Sequence, residues 1–539
     1  MTSTLPPTLS TSETTASPPS LGGRPVESRD PATGELWQSF PTTSAADVEA
    51  AVTRARQAQP GWAATPLGDR IRMLRRFHDV LYRRRHEVAD IITRENGKPL
   101  AEALSTEITI AMDFANFYAA EAPRFLRGKW RTGATMGMMR KRVKILHDPY
   151  GVVGIISPWN YPFMLATVEI FPALVTGNTV LLKPSEFTPS CGAMIGSLFA
   201  EAGVPADVLT VLQGDGSTGA ALSGAPVDKI FFTGSVATGR KVASACGSRL
   251  VPCSLELGGS DAAIVLADAN VPHAARGILW GRFSNAGQTC VAPKRVFAHA
   301  DVYDELVSEM SRIVGALRVG AGSSVDTDVV AVIRPSSVTT LTEQRDDAIA
   351  RGGRVAASAA APVGSTGSYF APTVLVDVPA DAKVLTEETF GPLLPVVKVR
   401  DDNEAVARAN ASNFGLSASV WSRNTAHAAA VAARIQTGSV TLNDAIVSPG
   451  MVEVPHGGVK SSGIGRTHGI AGLEECVRPK AVIADQFTGW RQAWWFGYSR
   501  EHADGLDAFV RLAHSKSVLE RLAAIPAVVR LLFSPRRPL

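Results

Sequence analysis

The chain has 539 residues, of which 45% are hydrophobic and 19% are charged, a composition that is typical of a large globular protein and excludes a disordered one. Its formal net charge of +4 is small for this length, so no nucleic-acid partner is expected. The five cysteines lack paired spacing, which argues against a disulfide framework or a zinc site and favours a reduced, cytoplasmic location.

The N-terminal residues 1–27 are rich in Ser, Thr and Pro and are predicted to form a disordered tail, because they have too little apolar surface to offset the entropy of ordering. Residues 1–22 contain no Lys or Arg and no apolar segment, unlike a secretory signal or a transit peptide. Apolar residues at helical spacing then predict three helices. These helices cover residues 45–59, 70–96 and about 100–119, and a strand is predicted at 142–148.

Between residues 151 and 233, short apolar runs alternate with helical patterns. Such runs are typical of strands that are buried on both faces of a parallel sheet, so the alternation predicts a doubly wound α/β unit. A second α/β unit is expected from about residue 260 to 460. No apolar stretch is long enough for a transmembrane helix. The predicted strands of the first unit cover 151–156, 179–183, 208–212 and 229–233, and its helices cover 163–175, 189–201 and 240–245.

Two polar side chains follow predicted strands. Asn160 lies in the segment SPWNYP, at a strand's carboxyl end, where open α/β sheets bind ligands. Glu256 lies between two leucines and is followed by two glycines, so its carboxylate needs a partner or a raised pKa. Structural roles stay open for both, as an amide satisfied within a turn and a carboxylate that faces solvent at a strand end.

Two further motifs contain glycine. Cys290 ends the segment FSNAGQTC, where it is either a reactive thiol at a helix start, with a pKa lowered by the helix dipole, or an inert buried cysteine. Gly234 and Ser235 follow a strand and lead into a helix, an arrangement that lets a backbone approach a pyrophosphate. The spacing differs from G-x-G-x-x-G, so this motif alone does not identify a dinucleotide site.

Together, in this order, the four motifs resemble the NAD(P)-dependent aldehyde dehydrogenase superfamily. The Asn160–Glu256 and Glu256–Cys290 separations of 96 and 34 residues also fit this family. The segments KPSE, EETFGP and PHGGVKSSG at residues 183–186, 387–392 and 455–463 match as well. The resemblance covers about residues 28–487.

The resemblance implies an α/β fold with a Rossmann-type cofactor domain, an α/β catalytic domain and an oligomerisation β-hairpin, and hence a homodimer or homotetramer. The implied boundaries are 28–258 for the cofactor domain with bridging strands at 131–149, 259–459 for the catalytic domain, and 460–487 for the return to the oligomerisation strand.

The implied activity is the oxidation of a small-molecule aldehyde to its carboxylic acid. Cys290 would attack the carbonyl carbon to form a thiohemiacetal, and then a thioester. The Asn160 amide and the Cys290 N–H would hold the oxyanion. Glu256 would activate the water that hydrolyses the thioester.

The cofactor implied is NAD, with NADP as the alternative. A carboxylate at Glu186 would bind the adenosine ribose hydroxyls and repel a 2′-phosphate, whereas Lys183 could still meet that phosphate. The cofactor-binding residues carried over from the resemblance are Trp159, Lys183, Glu186, Gly234, Ser235, Glu388 and Phe390.

Tyr161, Ser284 and His456 are the expected residues of the substrate funnel. The family commonly has Phe at the position of His456, so a titratable ring departs from an apolar funnel here. A semialdehyde dehydrogenase stays open as a second function, which needs a cationic anchor that His456 supplies only when protonated. A CoA-acylating enzyme is disfavoured by the presence of Glu256, and a catalytically silent binding protein is disfavoured by the presence of Cys290 and Asn160.

Residues 488–539 extend beyond the resemblance and are basic and amphipathic. Residues 490–539 contain eight Lys/Arg and four Asp/Glu, and five aromatic residues cluster at their start. Two interpretations stay open for this extension: a helix packed on protein, and a peripheral contact with an anionic membrane surface. Pro526 is expected to kink or split the helix. The aromatic residues are Trp490, Trp494, Trp495, Phe496 and Tyr498, and the residues at helical spacing are Val518, Leu519, Leu522, Ile525, Val528, Val529, Leu532 and Phe533.

Overall fold

The computed structural model describes residues 24–135, 138, 140–362, 364–486, 492 and 494–533. The chain divides into two compact units, one made of Met1–Phe125 with Pro149–Arg478 and the other of Leu126–Asp148 with Pro479–Leu539. Most of the predicted N-terminal tail lies outside the described residues.

Eighteen strands occur in the described residues. In chain order they are β1 (Val26–Arg29), β2 (Leu36–Phe40), β3 (Arg131–Thr132), β4 (Lys141–Pro149), β5 (Val152–Ile156), β6 (Thr179–Lys183), β7 (Leu209–Val211), β8 (Lys229–Thr233), β9 (Cys253–Glu256), β10 (Asp261–Val265), β11 (Pro293–His299), β12 (Arg354–Ser358), β13 (Thr373–Val376), β14 (Leu393–Val399), β15 (Ser417–Trp421), β16 (Ser439–Leu442), β17 (Gly463–Ile464) and β18 (Val477–Asp485).

Seventeen α-helices occur in the same residues, and a π-helical segment at Ala103–Ile108 separates the third from the fourth. They are α1 (Ala45–Ala64), α2 (Leu67–Asn96), α3 (Leu100–Glu102), α4 (Thr109–Leu126), α5 (Met164–Val175), α6 (Pro189–Glu201), α7 (Gly216–Gly224), α8 (Val236–Gly247), α9 (Val271–Phe283), α10 (Ala300–Gly315), α11 (Pro335–Ala350), α12 (Lys383–Thr386), α13 (Asp402–Asn410), α14 (Thr425–Ala432), α15 (Gly469–Glu474), α16 (Arg500–His514) and α17 (Val518–Phe533).

The first large sheet has the strand order β17-β9-β8-β5-β6-β7. All neighbours are parallel except β17, which runs antiparallel to β9. Every residue of β5 and β6 is buried, which confirms strands covered on both faces. The chain order reverses on the two sides of β5, so a topological switch point lies between β5 and β8, where such sheets bind ligands.

The second large sheet has the order β12-β13-β14-β11-β10-β15-β16. Only β12 is antiparallel to its neighbour. Alternate residues of β10 enter different cores: Ala263 and Val265 pack with α9 and α10, whereas Ala262 and Ile264 pack with α13 and α14. This sheet is therefore also covered on both faces, as the second predicted α/β unit requires.

A third sheet joins β3 and β4 to β18, in the order β18-β4-β3. The Lys141 ammonium lies 2.8 Å from the Asp485 carboxylate across it. The sheet unites the two segments in which the resemblance placed the oligomerisation hairpin. Its role in assembly stays a prediction.

Two predicted helices have different bounds. The first continues through Pro60 to Ala64, because Trp62 is buried and its Nε1 donates to the Leu174 carbonyl at 3.1 Å. The helix predicted at 100–119 is instead α3, the π-helical segment and α4, which ends at Leu126. Packing against a distant residue thus extends α1 beyond its local pattern.

The C-terminal extension contains α16 and α17, which pack on each other around Ala508, Ala524 and Val528. Helix α17 is a single helix with Pro526 inside it, so the expected split is wrong. Trp490 and the side chain of Phe533 lie outside the described residues. Over the described residues, every helix is too short or too polar to cross a membrane.

Candidate active site

Cys290 lies at a cavity of about 390 Å³ in the first unit. Tyr161 and His456, both predicted for the substrate funnel, also line this cavity. Ser284 does not line it: its side chain is buried at the end of α9, and its hydroxyl has no hydrogen-bond partner within the described part of the chain. Two of the three predicted funnel residues therefore meet at the cysteine.

Cys290 lies in a turn just before β11, and not at a helix start. The preceding backbone turns sharply at Asn285 and Ala286, whose φ angles of +50° and +53° are in the left-handed region. The helix-start interpretation is therefore wrong. Burial raises the pKa of the Cys290 thiol to about 12, while the charge of Lys294 opposes this shift. The ammonium of Lys294 donates to the Cys290 carbonyl at 2.5 Å.

Asn160 is buried in the loop between β5 and α5. Its Nδ2 donates to the Gln288 carbonyl at 3.0 Å, two residues before the cysteine. The neighbouring Tyr161 hydroxyl lies 2.8 Å from the Thr289 hydroxyl. An amide NH₂ group has two N–H donors, so one remains for a substrate oxygen. The two side chains bring the loop after β5 to the cysteine, as the site prediction requires.

A buried ion pair supports this loop. Lys98 and Glu107 are fully buried, and the lysine Nζ lies 2.6 Å from the carboxylate. The same Nζ donates to the Asn160 carbonyl at 3.1 Å. The second Glu107 oxygen accepts from the backbone N–H groups of Phe163 and Met164, each at 2.9 Å. The pair therefore connects this loop with the start of α5.

Glu256 ends β9 and is buried. Neither carboxylate oxygen has a hydrogen-bond partner within the described residues. Burial, helped by the nearby charge of Glu169, raises the Glu256 pKa well above its usual value, and Arg466 opposes this shift. A carboxyl group with a raised pKa and free oxygens suits a general base that works near neutral pH.

His456 lies 3.9 Å from the Glu256 carboxylate, measured from its Nε2. Its ring stacks on the ring of His468, with centroids 5.0 Å apart. Burial, with a smaller contribution from the positive charge of Arg466, lowers the His456 pKa to about 4. His456 is thus a neutral ring at neutral pH.

A second cavity, of about 630 Å³, lies at the switch point of the first sheet. Its walls include Trp159 from the loop after β5, Lys183 and Glu186 after β6, and Gly234 and Ser235 after β8. The lysine Nζ lies 3.3 Å from the Glu186 carboxylate.

Ser235 caps α8 by accepting from the Thr238 N–H at 3.3 Å, so the positive end of this helix faces the cavity wall. A helix N-terminus suits a pyrophosphate, and a carboxylate beside an ammonium suits a ribose. The cavity therefore fits a dinucleotide.

Glu388 and Phe390 connect this cavity with the cysteine loop. The Glu388 carboxylate accepts from the Gly259 N–H at 3.0 Å and lies 3.8 Å from the Lys294 ammonium. The Phe390 ring meets the Trp159 ring edge to face, with centroids 5.5 Å apart. Eight of the thirteen predicted site residues line one of the two cavities, and the other five do not: Asn160, Glu256, Ser284, Glu388 and Phe390.

The comparison with known families matches residues 19–482 to the model described as the aldehyde dehydrogenase family. The chain belongs to the aldehyde dehydrogenase family. The mixed α/β architecture with parallel sheets agrees with this membership, and a family of this chemistry uses a nicotinamide cofactor.

Two curated relatives and one solved structure illustrate the range within this family. The 4,4'-diapolycopene aldehyde oxidase of Methylomonas sp is 35% identical, over 91% of this chain and 92% of that protein. A putative succinate-semialdehyde dehydrogenase [NADP(+)] of Mycolicibacterium smegmatis is 36% identical, over 86% and 89%. PnpE from Pseudomonas sp., solved in complex with nicotinamide adenine dinucleotide, is 32% identical over 86% and 94%, with a TM-score of 0.81.

Sequence reasoning missed the residues that hold this aldehyde dehydrogenase site in place. Lys98, Glu107 and Lys294 are charged residues in otherwise unremarkable segments, and only their burial marks them. Glu169 offered a signal, since it lies inside the nearly all-apolar helix α5. Burial raises its pKa to about 8.

Proposed function

We propose that the chain oxidises an aldehyde to the carboxylic acid with NAD, through a thioester on Cys290. One observation carries the proposal: the side chains of Asn160 and Tyr161 bond to residues 288 and 289, so the loop after β5 lies beside the partly exposed Cys290. The position of Glu256 supports a hydrolytic outcome, because its carboxylate lies 3.9 Å from the His456 ring, which lines the same cavity as Cys290.

In the first step the Cys290 thiolate bonds to the carbonyl carbon, and the carbonyl oxygen becomes an oxyanion. The free N–H of the Asn160 amide and the backbone N–H of Cys290 stabilise that charge, each by about 3 kcal/mol. A bound nicotinamide supplies the hydride acceptor that converts the adduct to the thioester.

Glu256 then takes a proton from a water molecule, and the water oxygen attacks the thioester carbon. The carbon–sulfur bond breaks, the carboxylic acid leaves and the Cys290 thiolate is restored. Transfer of the acyl group to CoA would not need this base.

The cofactor would occupy the 630 Å³ cavity at the switch point. Glu186 would accept hydrogen bonds from the adenosine ribose hydroxyls, and the N-terminus of α8 at Ser235 would face the pyrophosphate. A carboxylate at this position repels a 2′-phosphate, which favours NAD over NADP. Gly234 and Trp159 would line the path towards the nicotinamide, beside Phe390.

The test is NADH formation with purified protein and a panel of propanal, octanal, benzaldehyde and succinic semialdehyde, repeated with NADP. We expect turnover with at least one aldehyde and a fall of about 10⁴-fold or more in the Cys290→Ala variant. Turnover that persists in this variant, or a complete lack of oxidation in the wild type, would overturn the proposal.

The semialdehyde alternative is supported by the likeness to the succinate-semialdehyde dehydrogenase of Mycolicibacterium smegmatis. Such a substrate has a carboxylate at the end remote from the reacting carbonyl. The site would have to receive that charge as well as the aldehyde.

A further inference from the structure

The walls of the cavity at Cys290 are mainly apolar. Within the described residues, no Lys, Arg, Asp or Glu contributes to its lining. Its polar side chains are limited to small hydroxyls, the Tyr161 phenol, the Cys290 thiol and the His456 ring. The apolar residues that line it are Ile110, Met164, Leu165, Trp280, Val291, Ile446, Val447, Pro449 and Met451.

The cations near the site are hydrogen-bonded to other groups of the protein. Lys98 is fully buried and donates to Glu107 and the Asn160 carbonyl. Lys294 is fully buried and donates to the carbonyls of Thr289 and Cys290.

Arg466 is also engaged, because it donates to the carbonyls of Gly458 and Gly465 at 2.8 and 2.7 Å. None of these three bases lines the cavity, so none is a direct ion-pair partner for a substrate carboxylate within it.

His456 is the remaining group on the cavity wall that can become a cation. Its ring is buried, stacks on the buried ring of His468 and lies near the charge of Arg466. Burial lowers its pKa to about 4, so protonation at neutral pH is disfavoured. A neutral imidazole adds polarity to the wall but does not bind a carboxylate as an ion pair.

We propose that the aldehyde substrate of this enzyme has an uncharged, apolar chain, and that semialdehydes with a terminal carboxylate are poor substrates. The proposal rests on the function proposed above. A carboxylate in this cavity would lose its hydration without gaining a cation, which is strongly unfavourable. An apolar chain gains free energy from each CH₂ group that it buries.

The experiment compares two substrates of equal length, octanal and 8-oxooctanoate, which differ only in the terminal carboxylate. We expect kcat/KM for octanal to be on the order of 100-fold higher. Along the series butanal, hexanal and octanal, kcat/KM should rise about threefold per CH₂ group.

A ratio near one, or a preference for the oxo-acid, would overturn the substrate class and leave the proposed oxidation intact. If neither compound nor the aldehyde panel is oxidised, the proposed function fails and this inference fails with it.

A charge introduced at the rim tests the same point in the opposite direction. Met451 lines the cavity and is 49% exposed, so a larger polar side chain is tolerated there. Met451→Arg should raise kcat/KM for 8-oxooctanoate, relative to octanal, at least about tenfold above Met451→Gln. Equal ratios in the two variants would contradict the inference that a missing cation determines the preference.

Substrate binding can also be measured without turnover, by using amides that have the same carbon chains as the two aldehydes. Octanamide should slow the alkylation of Cys290 by iodoacetamide, whereas the matched 8-amino-8-oxooctanoate should not at the same concentration. Equal protection by both amides would overturn the proposal.

Discussion

At the scale of single residues, the site combines two acids whose protonated forms are favoured by burial. Burial raises the pKa of the Cys290 thiol to about 12 and that of the Glu256 carboxyl well above its usual value. In the mechanism proposed above, both must lose a proton to act as nucleophile and base. Lys294 and Arg466 oppose these shifts, so the cations held at the site assist the ionisation of both groups.

The reactivity of the thiol should therefore depend steeply on pH. Because the thiolate is the reactive form and its pKa is raised, the alkylation rate of Cys290 should rise about tenfold per pH unit from pH 7 to 9 in the cofactor-free protein. Mass spectrometry of the iodoacetamide product separates Cys290 from the other cysteines, and Cys290→Ala is the control. A plateau below pH 8 would show that the thiol is already ionised there.

Cofactor preference should depend on the charge of Glu186. Replacing it with Gln keeps the shape and removes the repulsion of a 2′-phosphate, while Lys183 at 3.3 Å becomes available to that phosphate. The variant should shift the kcat/KM ratio of NADP to NAD upwards by about tenfold. A fluorescence titration of each dinucleotide should show the same shift in Kd. An unchanged ratio would mean that this carboxylate does not select the cofactor.

At the scale of elements, the loop after β5, which contains Asn160, is held by residues from the region between α2 and α4. Lys98 follows α2, and Glu107 belongs to the π-helical segment. Glu107 accepts hydrogen bonds from two backbone N–H groups at the start of α5, and Lys98 donates one to the carbonyl of Asn160. The end of α2, the π-helical segment and the start of α5 therefore all contribute to the position of Asn160.

Breaking this pair should affect stability and catalysis differently. Glu107→Gln leaves the buried Lys98 charge without its partner and should lower Tm by at least about 5 °C, and kcat with it. In the double variant Lys98→Met/Glu107→Gln, most of the Tm should return because no lone charge is buried and the amide oxygen at position 107 still accepts from the N–H groups of Phe163 and Met164. Its kcat should stay below that of the wild type, because the Asn160 carbonyl has lost the Lys98 donor and keeps only the Asn285 amide at 2.7 Å. Recovery of both quantities would contradict a positioning role.

At the scale of the whole molecule, both cavities lie in the first unit, and α16 and α17 belong to the second. Helix α17 keeps Ala524 and Val528 inside the hairpin with α16, while a second apolar face is exposed. The residues on that face follow a three- and four-residue spacing. They are Val518, Leu522, Ile525, Val529 and Leu532.

The exposed face and the net +4 charge of residues 490–539 support the proposal of a contact with an anionic membrane surface. The full chain should co-sediment with phosphatidylserine vesicles, and Leu522→Gln/Val529→Gln should lose at least half of that binding. Both residues are about half exposed, so the fold and the oxidation rate should not change. Equal pelleting of the two forms would contradict membrane contact.

The predicted homo-oligomer is tested on the same samples by sedimentation velocity.

The local patterns of the sequence were sufficient for most of the first sheet. The predicted ends of β6, α6 and β8 coincide with those in the structure, because apolar runs and a helix-starting proline are properties of neighbouring residues. The same patterns predicted the end of α1 too early in the chain, because its last turn depends on the hydrogen bond of Trp62 with residue 174.

Motifs and hydrophobic periodicity were enough to identify the family and most strands of the first sheet, because both are properties of residues that are close together in the chain. The folded chain was needed to find that Cys290 precedes a strand, that Lys98 and Glu107 support the Asn160 loop, and that burial keeps His456 neutral. These properties depend on burial and on contacts between residues distant in the chain. Burial and nearby charges shift the pKa of an ionisable group. The residues that bury and surround the group are distant in the chain, so a local pattern does not identify them.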